Sequence, residues 1–218
     1  MHGNPDDPRI DHAYYRAREC FGTAAALFDP PIEPVEIPYE NTVLHGYFYR
    51  GAGSGPGTDQ DATPRPTIIM HSGFDGTCEE LHWIGAAAAQ ERGYHVLTFD
   101  GPGQPAARRF DGLVFRPDWE NVVTPVLDWL LARPGAPFTD PTRVALFGLS
   151  MGGLLAPRAA AFEHRLAAVS YTHLQAPANT WKFAPRLRQA SNRTSTRWNR
   201  YTRRQTSNEK SLPCRRAQ

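Results

Sequence analysis

The chain has 218 residues, enough for one domain of ordinary size, and its 40% hydrophobic and 21% charged residues are typical of a globular protein. No apolar run reaches the roughly 18 residues of a membrane-spanning helix, and the first residues do not resemble a signal peptide, so we expect a cytoplasmic protein with no membrane partner. The three cysteines, Cys20, Cys78 and Cys214, are far apart, which favours reduced thiols over a disulfide framework or a zinc site.

Charge is distributed unevenly along the chain. The formal net charge is +2, but residues 1–169 carry −8 whereas residues 170–218 carry +10. The second segment alternates arginine with small polar residues and has few aliphatic side chains. It can therefore bury little apolar surface to offset the entropy of ordering, roughly 1–2 kcal/mol per residue for the backbone.

A helix and a β-hairpin are the first predicted elements. Aromatic residues and alanines recur every three or four positions in residues 11–28, the period of an amphipathic helix, and the Asp-Pro-Pro run at 29–31 ends it. Residues 34–50 place β-branched and aromatic residues on both sides of a polar turn at Glu40-Asn41, which indicates a hairpin. Residues 51–66 are rich in Gly, Asp, Thr and Pro and are predicted to form a surface loop.

From residue 67 onward, short apolar segments alternate with helical ones. The predicted order is strand 67–70, helix 79–92, strand 94–99, helix 119–132, strand 143–147, helix 154–162 and strand 166–170. This alternation predicts an α/β fold with a mostly parallel sheet and helices on both faces. Catalytic groups in such sheets lie beyond the carboxyl ends of the strands.

The run Gly148-Leu149-Ser150-Met151-Gly152 is the strongest candidate for a catalytic site. It follows a predicted strand directly and opens a predicted helix, which is the context that the pattern G-x-S-x-G requires. Its two glycines permit a tight turn that exposes the serine. We predict that Ser150 is the nucleophile and that the Met151 N–H, at the helix N-terminus, is one oxyanion donor. A glycine-rich turn without catalytic function is the alternative.

A second oxyanion donor is expected from the loop after strand 67–70. This loop reads His71-Ser72-Gly73-Phe74-Asp75-Gly76. The backbone N–H of Phe74, or that of Gly73, is the candidate. A structural turn that needs glycines remains the alternative for this loop taken alone.

No cofactor or metal site is predicted. Residues 101–106 formally match the dinucleotide pattern G-x-G-x-x-A, but Pro102 and Pro105 remove backbone donors that a pyrophosphate would use. The preceding strand is not the first of its unit and no clear helix opens there, so we predict a turn beside the pocket. The histidines are not spaced as the ligands of a metal site would be; they are His12, His45, His82 and His95.

Several of these segments together resemble a known family. The chain resembles α/β-hydrolases labelled dipeptidyl aminopeptidase or acylaminoacyl-peptidase-like, relatives of 2,6-dihydropseudooxynicotine hydrolase. The segments that carry this resemblance are HSGFDGTCEELHW, FDGPGQ, FRPDWENVVTPVLDWLL and FGLSMGGLLAPRAAAFEHRLAA. The resemblance implies a cofactor-free serine hydrolase, commonly a homodimer, in which a helical N-terminal region caps the pocket. It implies Ser150 as nucleophile, with Met151 and the Gly73-Phe74 loop as oxyanion elements.

Activities in that family cover esters, amides and carbon–carbon bonds next to a carbonyl, so the expected substrate is a small molecule or a short acyl or peptide compound. We predict three parts in this chain. Residues 1–31 are a remnant of the helical cap, 32–169 the N-terminal part of an α/β-hydrolase domain, and 170–218 a basic, disordered tail that is not native to the fold.

The catalytic acid and histidine are not evident. In this fold they follow the serine in the order acid, then histidine. The acids after Ser150 are Glu163 and Glu209, and the histidines are His164 and His173. Glu163 and His164 lie roughly 20 Å along a helix from Ser150 at 1.5 Å per residue. We therefore expect a truncated serine hydrolase.

The alternative is a non-catalytic protein whose basic tail binds nucleic acid or an acidic partner. Nothing in the tail reads bases, so nucleic acid is not the favoured partner.

Limited proteolysis tests the predicted boundary at residue 170. Cleavage by trypsin should begin within residues 182–216, where basic sites are dense, and a protease of broad specificity should then trim the larger piece to an end near Val169. Mass spectrometry of the early fragments measures this. Equal resistance along the whole chain, with cooperative unfolding that includes the tail, would contradict it.

Overall fold

A computed structural model of the chain describes residues 7–53, 64–133 and 139–172. The helices and strands are α1 (Pro8–Ala25), β1 (Ile32–Tyr39), β2 (Thr42–Tyr49), β3 (Arg65–His71), α2 (Ala87–Glu91), β4 (His95–Phe99), α3 (Pro105–Asp111), α4 (Glu120–Ala132), β5 (Thr139–Gly148), α5 (Gly152–Ala160) and β6 (Ala168–Tyr171). A π-helical turn, His82–Ala86, leads directly into α2.

All six strands of the described ranges belong to one sheet, in the order β1-β2-β4-β3-β5-β6. β1 and β2 form an antiparallel hairpin, and β2 is also antiparallel to β4. The pairs β4–β3, β3–β5 and β5–β6 are parallel. His71 at the end of β3 pairs with Phe99 of β4 and with Gly148 of β5. The loops that follow these three strands therefore meet at one edge of the sheet.

Helices cover both faces of the sheet because the strands alternate their side chains between two apolar clusters. β2 sends Leu44 and Phe48 into one cluster and Tyr47 and Tyr49 into the other, the period-two pattern of a strand buried on both sides. α4 and α5 pack on the first face, and α1 packs on the second with the π-helical turn. The side chains that the helices bury are Ala107, Val122, Val123, Val126, Leu127, Leu130, Leu155, Ala156 and Ala159 on the first face, and Phe21, Ala25 and Ala86 on the second.

The predicted α/β fold is confirmed, and so is the predicted order of strands and helices along the chain. The hairpin turns at Glu40-Asn41 as predicted, and Glu40 has a positive φ of 49°. Two expectations were wrong. The single helix predicted over 79–92 is divided, because the backbone of Gly85 is not helical and the π-helical turn precedes a short α2.

The second wrong expectation was that no helix opens after Gly103. α3 begins at Pro105. A proline is tolerated in the first helical turn, because the N–H groups there have no intrahelical acceptor. The predicted loop 51–66 ends earlier than expected, because Arg65 and Pro66 belong to β3. Residues 54–63 of that loop, and residues 173–218 of the predicted tail, lie outside the described residues.

No helix in the described part of the chain is long and apolar enough to cross a membrane.

Core truncation should be costly on the face that α4 covers. Leu127→Ala removes a side chain with no exposed surface and should lower the free energy of unfolding by about 2–5 kcal/mol, since the lost burial and the cavity both count. Leu154→Ala is the matched control, because 52% of Leu154 is exposed, and it should change stability by less than about 1 kcal/mol. Urea denaturation measures both. Equal losses in the two variants would contradict the described packing.

Candidate active site

Ser150 occupies the sharp turn between β5 and α5. It is exposed and has a positive φ of 57°, a conformation that is uncommon for residues with a side chain. The flanking glycines are required by close approach of the backbone. A Cβ on Gly148 would overlap the Gly152 carbonyl, and a Cβ on Gly152 would lie 2.5 Å from the Ser72 carbonyl oxygen. The turn predicted from the strand–serine–helix order is therefore present.

Three hydrogen bonds hold this turn to its neighbours. The Ser150 N–H donates to Thr172 Oγ1 at 2.7 Å, and the Thr172 N–H donates to the Gly148 carbonyl at 3.0 Å. The Leu149 N–H donates to the His71 carbonyl at 3.1 Å. Thr172 was missed by the sequence reasoning, because it lies at the start of the segment whose composition changes and belongs to no motif.

The predicted oxyanion loop lies directly against the nucleophile turn. A Cβ on Gly73 would be 2.6 Å from the Met151 nitrogen and 2.9 Å from Ser150 Cβ, so only glycine permits this contact. The N–H groups of Gly73, Phe74 and Met151 have no hydrogen-bond acceptor among the described residues. These three N–H groups are therefore available to bind an oxygen of a substrate.

Apolar surface adjoins these donors. The Phe74 side chain is 66% exposed, and its ring stacks on that of Phe115 with centroids 6.1 Å apart and an interplanar angle of 15°. Phe115 in turn lies 6.3 Å from the buried ring of Trp119. An apolar group attached to a bound carbonyl can contact this aromatic pair.

His71 is buried beside the nucleophile turn but is not positioned as its base. Its Nδ1 lies 3.0 Å from the Ser72 carbonyl oxygen, and burial lowers the pKa of the ring to about 4. The ring is therefore neutral at physiological pH. In the tautomer that carries a proton on Nδ1, it donates to the Ser72 carbonyl.

Glu163 and His164 lie beyond the far end of α5, as predicted. The Glu163 carboxylate accepts hydrogen bonds from Arg165 Nε at 2.8 Å and from Thr124 Oγ1 at 2.8 Å. The hydrogen bonds from Arg165 lower the pKa of Glu163 to about 2, so this group is a structural carboxylate. Within the described ranges no histidine is hydrogen-bonded to the Ser150 hydroxyl. His173 and Glu209 lie outside those ranges.

A cluster of buried polar side chains is formed by residues of the segments that follow β3 and β4. The side chains of Cys78, Glu79 and Asp100 bring a potential ligand atom each to within 4.8 Å of one another. Arg18 of α1 lies 3.6 Å from Glu79, and Tyr47 donates to the same carboxylate at 3.2 Å. Burial raises the pKa of the Cys78 thiol well above its usual range. A cation fits poorly here, because the Arg18 guanidinium already lies beside the carboxylate and the thiol resists deprotonation.

Comparisons with known proteins support the fold. The alpha/beta hydrolase family matches residues 43–214, a range that continues past the last described residue, Thr172. Hydrolase acrC of Aspergillus aculeatus is 43% identical over 178 residues, which cover 78% of this chain and 42% of that protein. The 20-hydroxy-prefusarin hydrolase FUS2 of Gibberella moniliformis is 40% identical over 164 residues, covering 73% of this chain and 38% of that protein.

Among solved structures, the 2,6-dihydroxy-pseudo-oxynicotine hydrolase is similar with a TM-score of 0.62 and 29% identity. That alignment covers 73% of this chain and 42% of the other. The chain thus spans about two fifths of the length of the curated relatives it matches.

Asp100 should make stability depend on pH. Burial, with a contribution from the nearby Glu79, raises the pKa of this carboxyl from 3.8 to about 8, so folding favours its protonated form. Its contribution to stability is full below the ordinary pKa and is lost as the pH rises through about 8. Asp100→Asn cannot ionise, so the free energy of unfolding of the variant minus that of the wild type should rise between these two pH values. A difference that does not change with pH, in urea denaturation, would contradict this.

Proposed function

Because this chain belongs to the alpha/beta hydrolase family, we propose that Ser150 is the nucleophile of a serine hydrolase that cleaves an ester, an amide or a carbon–carbon bond next to a carbonyl. One observation carries the proposal. Ser150 is exposed at a positive φ on the turn after β5, and the free N–H groups of Met151 and the Gly73-Phe74 loop lie beside it. This arrangement combines an accessible hydroxyl with donors for a developing oxyanion.

The chemistry follows from these positions. A base takes the Ser150 hydroxyl proton while Oγ attacks the carbonyl carbon, and the carbonyl oxygen becomes an oxyanion that accepts hydrogen bonds from the Met151 and Phe74 N–H groups. When the tetrahedral intermediate collapses, the bond to the leaving group breaks and that group takes the proton from the base. Water then attacks the acyl-enzyme by the same route, which releases the acid and restores the Ser150 hydroxyl.

Each backbone donor contributes substantially to such a reaction. Removing one oxyanion donor costs about 10²- to 10³-fold in kcat in comparable hydrolases. The donors here are backbone N–H groups. Met151 directly precedes α5, and Phe74 lies three residues after the end of β3. They need no reorganisation when charge develops, which is why a fixed loop serves better than mobile side chains.

The base and its acid partner must come from outside the described residues. None of the described histidines is hydrogen-bonded to Ser150, and the curated relatives are more than twice as long as the matched part of this chain. The described residues therefore carry the proposed nucleophile and oxyanion donors, and no histidine and acid pair joins them within those ranges.

The substrate class is inferred from the same surroundings. The exposed Phe74 ring and its partner Phe115 favour a small molecule, or a short acyl or peptide compound, with an apolar group beside the carbonyl. The relatives named above are hydrolases by name, which supports hydrolysis as the reaction class. A cytoplasmic location and a homodimer complete the proposal as expectations from the sequence and the family resemblance.

Turnover by the chain as given should be very low. We expect p-nitrophenyl acetate to be hydrolysed at nearly the same rate by the chain and by Ser150→Ala, because a nucleophile without its base adds little. Residual catalysis from the oxyanion hole and binding, roughly 10³- to 10⁴-fold over water, is shared by both. Many turnovers by the chain, absent in Ser150→Ala, would reveal a histidine partner for Ser150 within this sequence.

The nucleophile itself is tested by prolonged labelling with excess fluorophosphonate, followed by peptide mass spectrometry. The adduct should lie on Ser150, disappear in Ser150→Ala and remain in Ser170→Ala, which removes another exposed serine at the end of β6. An adduct on a different residue would contradict the assignment of Ser150.

A further inference from the structure

Gln104 connects the loop after β4 to the oxyanion loop after β3. Its side chain has no exposed surface. The amide oxygen accepts the Gly101 N–H at 2.6 Å, and the amide nitrogen donates to the carbonyl oxygens of Ser72 at 2.6 Å and of Gly73 at 3.3 Å. Both ends of the amide are used, so the side chain has one orientation, with its nitrogen toward the oxyanion loop.

These two carbonyls belong to the same peptide groups as the candidate oxyanion donors. The Ser72 carbonyl shares a peptide plane with the Gly73 N–H, and the Gly73 carbonyl shares one with the Phe74 N–H. In a trans peptide the C=O and the N–H point in opposite directions. Gln104 holds both carbonyls on its own side, so both N–H groups point away from it. Neither N–H has an acceptor among the described residues.

The two carbonyls differ in how much they depend on Gln104. The Ser72 oxygen also lies 3.0 Å from His71 Nδ1, and it packs against Gly152 at the start of α5. The Gly73 oxygen receives a hydrogen bond from Gln104 alone within the described ranges. The orientation of the Phe74 peptide therefore depends most strongly on this one side chain.

We propose that Gln104 is a positioning residue that orients the Gly73 and Phe74 N–H groups toward the carbonyl oxygen of a substrate bound at Ser150. This inference rests on the proposed function, because it assumes that these N–H groups form the oxyanion hole. Hydrogen bonds to the two carbonyls also polarise the peptides and strengthen the donors at their other ends. Displacement of such a donor by about 1 Å can cost on the order of 10²-fold in rate.

Three variants of the full chain separate positioning from stability. Gln104→Leu removes both hydrogen-bonding functions, and Gln104→Glu keeps the shape but changes the donor. Gln90→Leu is the matched control, because Gln90 is a buried glutamine in α2, away from the oxyanion loop. Each is compared with the wild type in the rate of Ser150 labelling by fluorophosphonate and in the ¹⁵N chemical shifts of Gly73 and Phe74.

Gln104→Leu should lower the labelling rate by about 10²-fold and shift both amide resonances, whereas Gln90→Leu should stay within about twofold of the wild type. Gln104→Glu adds a pH signature that a structural role would not produce. The protonated carboxyl can donate to the Ser72 carbonyl, but the carboxylate cannot and is repelled by it. The labelling rate relative to wild type should be close to one at low pH and fall as the carboxyl ionises.

Two outcomes would overturn the inference. One is a Gln104→Leu variant that labels within about threefold of the wild type, and the other is a Gln104→Glu rate ratio that does not change with pH. Failure of the proposed function gives a different result, namely an adduct on a residue other than Ser150 in the wild type. In that case the amide shifts still report the geometry: perturbed Gly73 and Phe74 resonances in Gln104→Leu show that Gln104 orients these two peptides, and unchanged resonances refute the inference.

Discussion

The site depends on close backbone packing between β5, the start of α5 and the loop after β3, where side chains do not fit. Gly148 and Gly152 flank the nucleophile turn, and Gly73 lies against Met151 and Ser150 Cβ at distances that a Cβ atom cannot occupy. Ser150 therefore keeps its positive φ, since the strand before it and the helix after it leave no other path. An alanine at Gly73 or Gly152 would push the loop after β3 away from the turn at Ser150, and an alanine at Gly148 would push β5 away from α5. The proposed chemistry therefore depends on contact between main chains.

Sheet topology explains why these segments meet. β3 lies between β4 and β5 and is parallel to both, so the loops after the three strands emerge at one edge. Each loop then has a separate role. In the proposed mechanism, the loop after β5 presents Ser150, the loop after β3 offers N–H donors, and the loop after β4 supplies Gln104, which orients those donors. Thr172, just after β6, adds an acceptor for the Ser150 N–H from the fourth parallel strand.

The same edge of the sheet also holds a polar group that serves structure rather than catalysis. The Arg18 side chain of α1 forms an ion pair with Glu79, and the Tyr47 hydroxyl donates a hydrogen bond to the same carboxylate. Asp100 lies nearby with no exposed surface and accepts the Ala106 N–H at 3.0 Å, which secures the start of α3. Buried polar groups of this kind cost desolvation energy unless partners satisfy them, and here they connect α1 and α3 to the strands that carry the site.

The sequence by itself determined the alternation of strands and helices, the turn at Ser150 and the loop at Gly73-Phe74, because hydrophobic period and glycine spacing are local properties. It did not predict the break in the helix near Gly85 or the start of α3 at Pro105, where the local signals were ambiguous. The contribution of Gln104 and Thr172 was decided only by the tertiary structure. The bonds from Gln104 to Ser72 and Gly73, and the bond from Ser150 to Thr172, join residues far apart in sequence. They exist only once parallel strands bring separate loops to one edge of the sheet.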